Sequence, residues 1–145
     1  MRFVYSTRVR FVDTDASGRI HFTAMLRHFE AAEQDFLCSI EAFYKTGYLA
    51  GVGFRRVHAE CDYTGMVAFD DPLDIEVGVE RIGNSSYTLG FAATVDGRAV
   101  AHGRLVIVCI DLRTQKSRPV PEELAGRLRD YQSAFPVETS NVIGA

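Results

Sequence analysis

The feature that most constrains this chain is a change of period partway along it. Between Thr23 and Phe43 the apolar residues Met25, Leu26, Phe29, Ala32, Phe36, Leu37 and Ile40 recur at helical spacing, with Arg27, Glu30, Glu33 and Gln34 between them. From Phe54 to Asp111 the pattern shortens to alternation or to unbroken apolar runs: FRRVHAECDYTG, LDIEVGVERI, YTLGFAATV and AVAHGRLVIVCID. One long helix followed by a block of strands has to bury the helix stripe against one face of an antiparallel sheet, which is the α+β class.

The rest of the chain fits around that pattern. Phe3, Tyr5, Thr7, Val9 and Phe11 share one parity while Arg2, Arg8 and Arg10 share the other, which predicts a half-buried first strand with Phe11 on its inner side. The segment Thr46–Gly53 carries three glycines and reads as a loop. Asp70-Asp71-Pro72, Gly83-Asn84 and Asp96-Gly97 separate the four later strands and predict three successive hairpins. The apolar run Leu105–Ile110 predicts a central strand buried on both faces. Pro121 with Glu122 and Glu123 opens a short C-terminal helix whose Leu124, Leu128, Tyr131 and Phe135 share a face. Residues 1–136 read as a single domain and 137–145 as a fraying tail. A five-stranded sheet covered by one helix leaves a face and an edge open, so a homo-oligomer is expected.

Composition narrows the function classes. At 145 residues, 47% hydrophobic and 24% charged, the chain has room for one sizeable core. A net charge of -3 with scattered basic residues offers no footprint for nucleic acid. No run of about 18 apolar residues predicts a membrane span, and the alternating N-terminus does not resemble a signal peptide. Cys38, Cys61 and Cys109 lie far apart without paired spacing, which fits free thiols and a cytoplasmic protein.

The stretch VDTDASGRIHFT, residues 12–23, is where chemistry concentrates. Asp13, Asp15, Ser17 and Gly18 match the first half of a calcium loop, but its twelfth position, where a bidentate Glu belongs, is Ala24, and the element entering it is a strand. No metal is expected here. Asp and Ser before a helix also serve as turn and capping residues, so the residues alone leave a structural turn and an active-site loop both open.

The stretch VRFVDTDASGRIHFTAMLRHFEAAEQDFL, together with the later FDDPLDIEV, resembles the hotdog-fold acyl-CoA thioesterases of the 4-hydroxybenzoyl-CoA thioesterase type. The resemblance covers nearly the whole chain. It implies a hotdog fold, with an antiparallel five-stranded sheet wrapped around one long central helix, and a homodimer or homotetramer with its sites at subunit interfaces. It implies hydrolysis of an acyl-CoA thioester to free acid and coenzyme A without a cofactor. Asp15 takes the place of the catalytic carboxylate, and the helix start near His21, Phe22 and Thr23 supplies backbone N–H donors to the thioester oxygen. Physical chemistry agrees with that use, because free amides at a helix N-terminus are preorganised for a developing oxyanion. Gly18 would allow the turn that brings Asp15 back toward Phe22. Gly18, His21, Thr23 and Met25 are accordingly the candidate substrate-binding residues, and Phe22, Met25, Phe29 and Tyr63 the candidate walls of an apolar pocket.

Some members carry Tyr or His where this chain has Phe22. Its own His21 is offset by one, about 100° around a helix, so no catalytic role is carried over to it. His58 and Cys61, three apart on a strand, face opposite sides and do not make a metal pair. Glu30 and Glu33 read first as a solvated helix face. Ser85, Ser86, Arg113, Lys116 and Arg118 have the chemistry to meet coenzyme A phosphates, and equally that of an ordinary surface. Thioesters on acyl carrier protein, a dehydratase on the same scaffold, and a non-catalytic acyl-binding protein are the competing readings.

Overall fold

A computed structural model describes residues 2–42 and 50–137. Strand β1 (Val4–Arg8) leads through a single 3-10 turn, Phe11–Asp13, and the Asp/Ser/Gly loop into helix α1 (Ala24–Ser39). Then follow β2 (Val52–Tyr63), β3 (Pro72–Ile82), β4 (Ser86–Val95), β5 (Arg98–Asp111) and helix α2 (Glu122–Ala134). The strands form one antiparallel sheet in the order β1-β3-β4-β5-β2.

This order corrects the expectation of three successive hairpins. β3–β4 and β4–β5 are hairpins, but β2 pairs with β5 and stands at the far edge of the sheet from β1. Residues 64–71 do not close a turn between β2 and β3; they bond to the loop before α1 instead. Ile20 N–H donates to the Val67 carbonyl, Phe69 N–H to that of Gly18 and Asp70 N–H to that of Val9. The crossing chain is thereby tied to the candidate site.

Three further expectations change. Phe11 is 81% exposed, because β1 stops at Arg8 and the 3-10 turn breaks the alternation after buried Val9. β5 is sealed on the other side only at its end: Leu105, Ile107 and Cys109 are buried on the helix face, while opposite them Val106 and Val108 are half-buried and Ile110 is buried, and β4 is the central strand. α1 has 16 residues and ends at Ser39. Glu41 then takes a left-handed φ of 57° and Ala42 N–H donates to the Leu37 carbonyl, a C-terminal closure that stops the helix. The loop expected from Thr46 largely lies outside the described residues, and Val52 and Gly53 already belong to β2.

The core lies between the helices and one face of the sheet. Phe29 of α1 stacks on Phe91 of β4, with centroids 4.7 Å apart and planes at 11°. The register places Gly103 beside Phe91, and a Cβ there would come within 2.2 Å of the Glu60 carbonyl oxygen and 2.6 Å of Phe29. A side chain at this position would push the helix off the sheet. Complete burial of a ring such as Phe29 contributes about 2–3 kcal/mol, which explains why the helix stripe, not its propensity, holds α1 in place.

α2 packs on the same side. Tyr131 sits edge-on to Phe36, accepts the Phe3 N–H at 2.8 Å and donates to the Val77 carbonyl at 3.0 Å. Since β1 pairs with β3 only over Pro72–Glu76, α2 covers the part of β3 that β1 leaves unpaired. The other face carries Glu76, Gly78, Glu80, Gly90, Ala92, His102 and Arg104, with a cleft of about 290 Å³. Of the tail expected to fray from 137, Val137 packs over Gly78 on this face, and the remainder lies outside the described residues.

Candidate active site

The loop before α1 is a small hairpin. Asp15 N–H donates to the Arg19 carbonyl, Gly18 N–H to that of Asp15, and Thr14 faces Ile20 across an antiparallel bridge. One rung further, His21 N–H donates to the Asp13 carbonyl at 2.7 Å. Gly18 has a φ of 81°, which this tight return requires and which a Cβ would disfavour. Folding the loop back in this way sets Asp15 two residues from the rung that precedes Phe22, about 7 Å along the ladder.

The two aspartates do different work. Asp13 is 6% exposed. Its Oδ2 accepts the Arg10 N–H at 2.9 Å and lies 3.2 Å from His28 Nε2, while its Oδ1 lies 3.4 Å from Arg27 Nη2. It ties the 3-10 turn to the first turns of α1. Burial opposes its charge, but the Arg10 amide, His28 and Arg27 together outweigh that and hold its carboxyl below the ordinary range.

Asp15 is open to solvent. Its Oδ1 accepts both the Ser17 hydroxyl at 2.5 Å and the Ser17 N–H at 2.8 Å, and these two bonds hold its carboxyl below the usual carboxylate range. It is ionised at neutral pH. A charged carboxylate with a fixed direction can attack an acyl carbon or take a proton from water.

The start of α1 is dressed in a particular way. His21 Nδ1 accepts the Thr23 N–H at 3.2 Å and lies 2.8 Å from Thr23 Oγ1, so the histidine acts in place of a side-chain cap, which Thr23 itself does not provide. The Ala24 N–H is taken by the His21 carbonyl at 2.9 Å. Because a trans peptide sends its N–H opposite to its C=O, that bond turns the Phe22 N–H away from the helix, and no described residue accepts it. Phe22 itself is 73% exposed and stacks on the His21 ring at 4.7 Å.

The expected pocket walls separate. Met25 and Phe29 are fully buried in the core, so within one chain the Met25 side chain faces no open surface, whereas Phe22 and Tyr63 lie on it. Glu33, read from the sequence as part of a solvated face, is fully buried and paired with Arg56 of β2; Glu30 is exposed. His58 lies 2.8 Å from Glu60 on the sheet's outer face, away from Cys61. Ser85, Ser86 and Arg118 come together near the end of β3 remote from Asp15, a strand length of roughly 35 Å away, so one chain does not join them to the site.

Two residues of the site were named from the sequence in other roles. Ser17 had a readable signal, a hydroxyl two residues after Asp15, the spacing of a local side-chain to backbone turn. Tyr63 was read only as a pocket wall, yet its hydroxyl donates to the Phe22 carbonyl across 41 positions of chain, which no local pattern announces.

Comparisons with known proteins give the family and the fold. Residues 9–128 match the Thioesterase-like superfamily, and the chain belongs to it: it is a hotdog thioester hydrolase of the acyl-CoA thioesterase kind. A 1,4-dihydroxy-2-naphthoyl-CoA hydrolase from Nostoc punctiforme is 30% identical over 125 residues, covering 86% of this chain and 84% of the relative. The structure of a hypothetical protein from Aquifex aeolicus is 26% identical with a TM-score of 0.81, covering 87% of this chain and 98% of the other. A 1,4-dihydroxy-2-naphthoyl-CoA thioesterase from Synechocystis has the same fold, with 21% identity, a TM-score of 0.81 and coverage of 90% and 97%. No helix among the described residues is long and apolar enough to cross a membrane.

Proposed function

We propose that this protein hydrolyses an acyl-CoA thioester to the free acid and coenzyme A, with Asp15 as the catalytic carboxylate and the Phe22 N–H polarising the thioester carbonyl. The observation that carries the reading is the pairing of an ionised, directionally fixed Asp15 with an unused amide at the start of α1. In the first step an oxygen nucleophile adds to the carbonyl carbon, and the carbonyl oxygen gains the negative charge that the amide stabilises. One such donor contributes about 3 kcal/mol in the transition state. The C–S bond then breaks, and the coenzyme A thiolate leaves and takes up a proton. The nucleophile is either Asp15 itself, giving a mixed anhydride that water cleaves, or a water whose proton Asp15 accepts. Both routes need the carboxylate charged.

The relatives named for dihydroxynaphthoyl-CoA support placing aromatic acyl-CoAs in the first test. A screen of short-chain, long-chain and aromatic acyl-CoAs, read by free-thiol release, tests the function. Release with at least one class supports it, and no release with any overturns it.

The working unit in this reading is a homo-oligomer in a reducing, cytoplasmic setting. The edge strand β2 has one side unpaired over Val52–Tyr63, and Asp15, open in the single chain, needs a second surface to exclude water. Sedimentation at micromolar concentration is expected to give a mass of two or four times 16.1 kDa. A monomer would contradict it.

A further inference from the structure

We propose that Tyr63 is a positioning residue for this thioesterase site, its hydroxyl holding the Phe22–Thr23 peptide at the start of α1 so that the Phe22 N–H keeps its direction toward the substrate carbonyl. The inference rests on the roles given to Asp15 and Phe22 above. Tyr63 is the last residue of β2, opposite Ala101 of β5, and its side chain projects on the helix side of the sheet. Its O–H donates to the Phe22 carbonyl just before the first turn of α1.

Phe22 sits between two peptide groups, and each has its own anchor. The His21–Phe22 peptide is fixed by the Ala24 N–H on the His21 carbonyl. The Phe22–Thr23 peptide is fixed on one side by Tyr63 and on the other by His21 Nδ1, which accepts the Thr23 N–H. With both planes held, the two backbone torsions of Phe22 are set, and with them the line of its N–H. Remove the Tyr63 anchor and only the long His21 Nδ1 contact, at 3.2 Å, still holds the Phe22–Thr23 plane, so one torsion is loosened. Burial holds the Tyr63 hydroxyl in its protonated form, with its ionisation pushed up to about 12, so it remains a donor throughout the working range. A tyrosine reaching from a strand brings little conformational freedom of its own, which suits a strut. At 40% exposure, it leaves the core unchanged when its hydroxyl is removed.

The test is Tyr63→Phe, assayed beside wild type and Asp15→Asn with two acyl-CoAs of different acyl groups, after thermal melting to confirm the fold. A positioning role predicts a kcat lowered by about 10-fold, KM within about 2-fold of wild type, and the same factor for both acyl groups, since they share only the carbonyl. Unchanged kcat, a loss confined to KM, or a loss seen with one acyl group alone would overturn it, the last by showing the ring to be a pocket wall. If instead wild type released no thiol, the thioesterase reading would fall, and if Asp15→Asn matched an active wild type, the role of Asp15 on which this inference rests would fall. Active wild type, impaired Asp15→Asn and unaffected Tyr63→Phe would overturn the role of Tyr63 alone.

Discussion

The hydroxyl and the backbone N–H of Ser17 converge on a single oxygen of Asp15, at 2.5 and 2.8 Å. The consequence is electrostatic. Both donors favour the charged carboxylate, so its ionisation lies below the ordinary value of 3.8. If the ionised form is the active one, kcat should stay flat as pH falls through the mildly acidic range and drop only below that ordinary value. Ser17→Ala removes one donor and should move the acid limb upward. A pH–rate profile of the two proteins checks this, and identical limbs would contradict it.

Asp13, two residues earlier, should respond through stability. Its side chain joins the Arg10 amide to His28 and Arg27 of α1. Asp13→Asn should destabilise the fold by about 1–3 kcal/mol in urea unfolding, the range for disturbing a buried hydrogen-bonded charge, with turnover of the folded protein changed far less than in Asp15→Asn. The sign of the pH effect follows from the lowered folded-state value: the contribution is complete above the unfolded value of 3.8 and is lost as pH falls through the folded one. Wild type should therefore lose part of its stability below that pH, and Asp13→Asn should lose less.

Arg56 is the partner of a carboxylate that the fold has sealed away. Glu33 is fully buried while the Arg56 side chain is 36% exposed, so water screens one member only. Arg56→Ala would strand the Glu33 charge and should cost about 2 kcal/mol or more, whereas Glu33→Leu with Arg56→Met should restore most of it. Chemical denaturation of the single and double variants decides. Equal stabilities for all three proteins would show that the pair contributes nothing.

The helices and strands were legible because each is announced by its own periodicity. Leu124, Leu128 and Tyr131 mark the buried face of α2, and the alternation matches burial along β4 and along β3 as far as the register shift after Val79. Strand order was not legible in that way. Asp70-Asp71-Pro72 carries turn chemistry, and a local turn does form there, with the Asp71 carboxylate accepting the Ala68 N–H. Where the chain goes afterwards is decided by contacts with residues 9–20, far away in sequence. Glu33 was misplaced for a related reason, since its partner Arg56 lies on another element, so a polar residue among apolar ones gave no sign of being buried. At the site, Asp15 and the helix start stood out through a motif of consecutive residues. Tyr63 did not, because its hydrogen bond to Phe22 depends on how β2 crosses the sheet.

Asp15→Asn tests the central claim most directly. The substitution keeps the size of the side chain and an oxygen able to accept from Ser17, and it removes the charge. With an acyl-CoA that wild type hydrolyses, thiol release by the folded variant should fall by about 10²-fold or more, with KM little changed. Turnover within a few-fold of wild type would show that Asp15 carries neither the nucleophilic nor the base role, and would contradict the account.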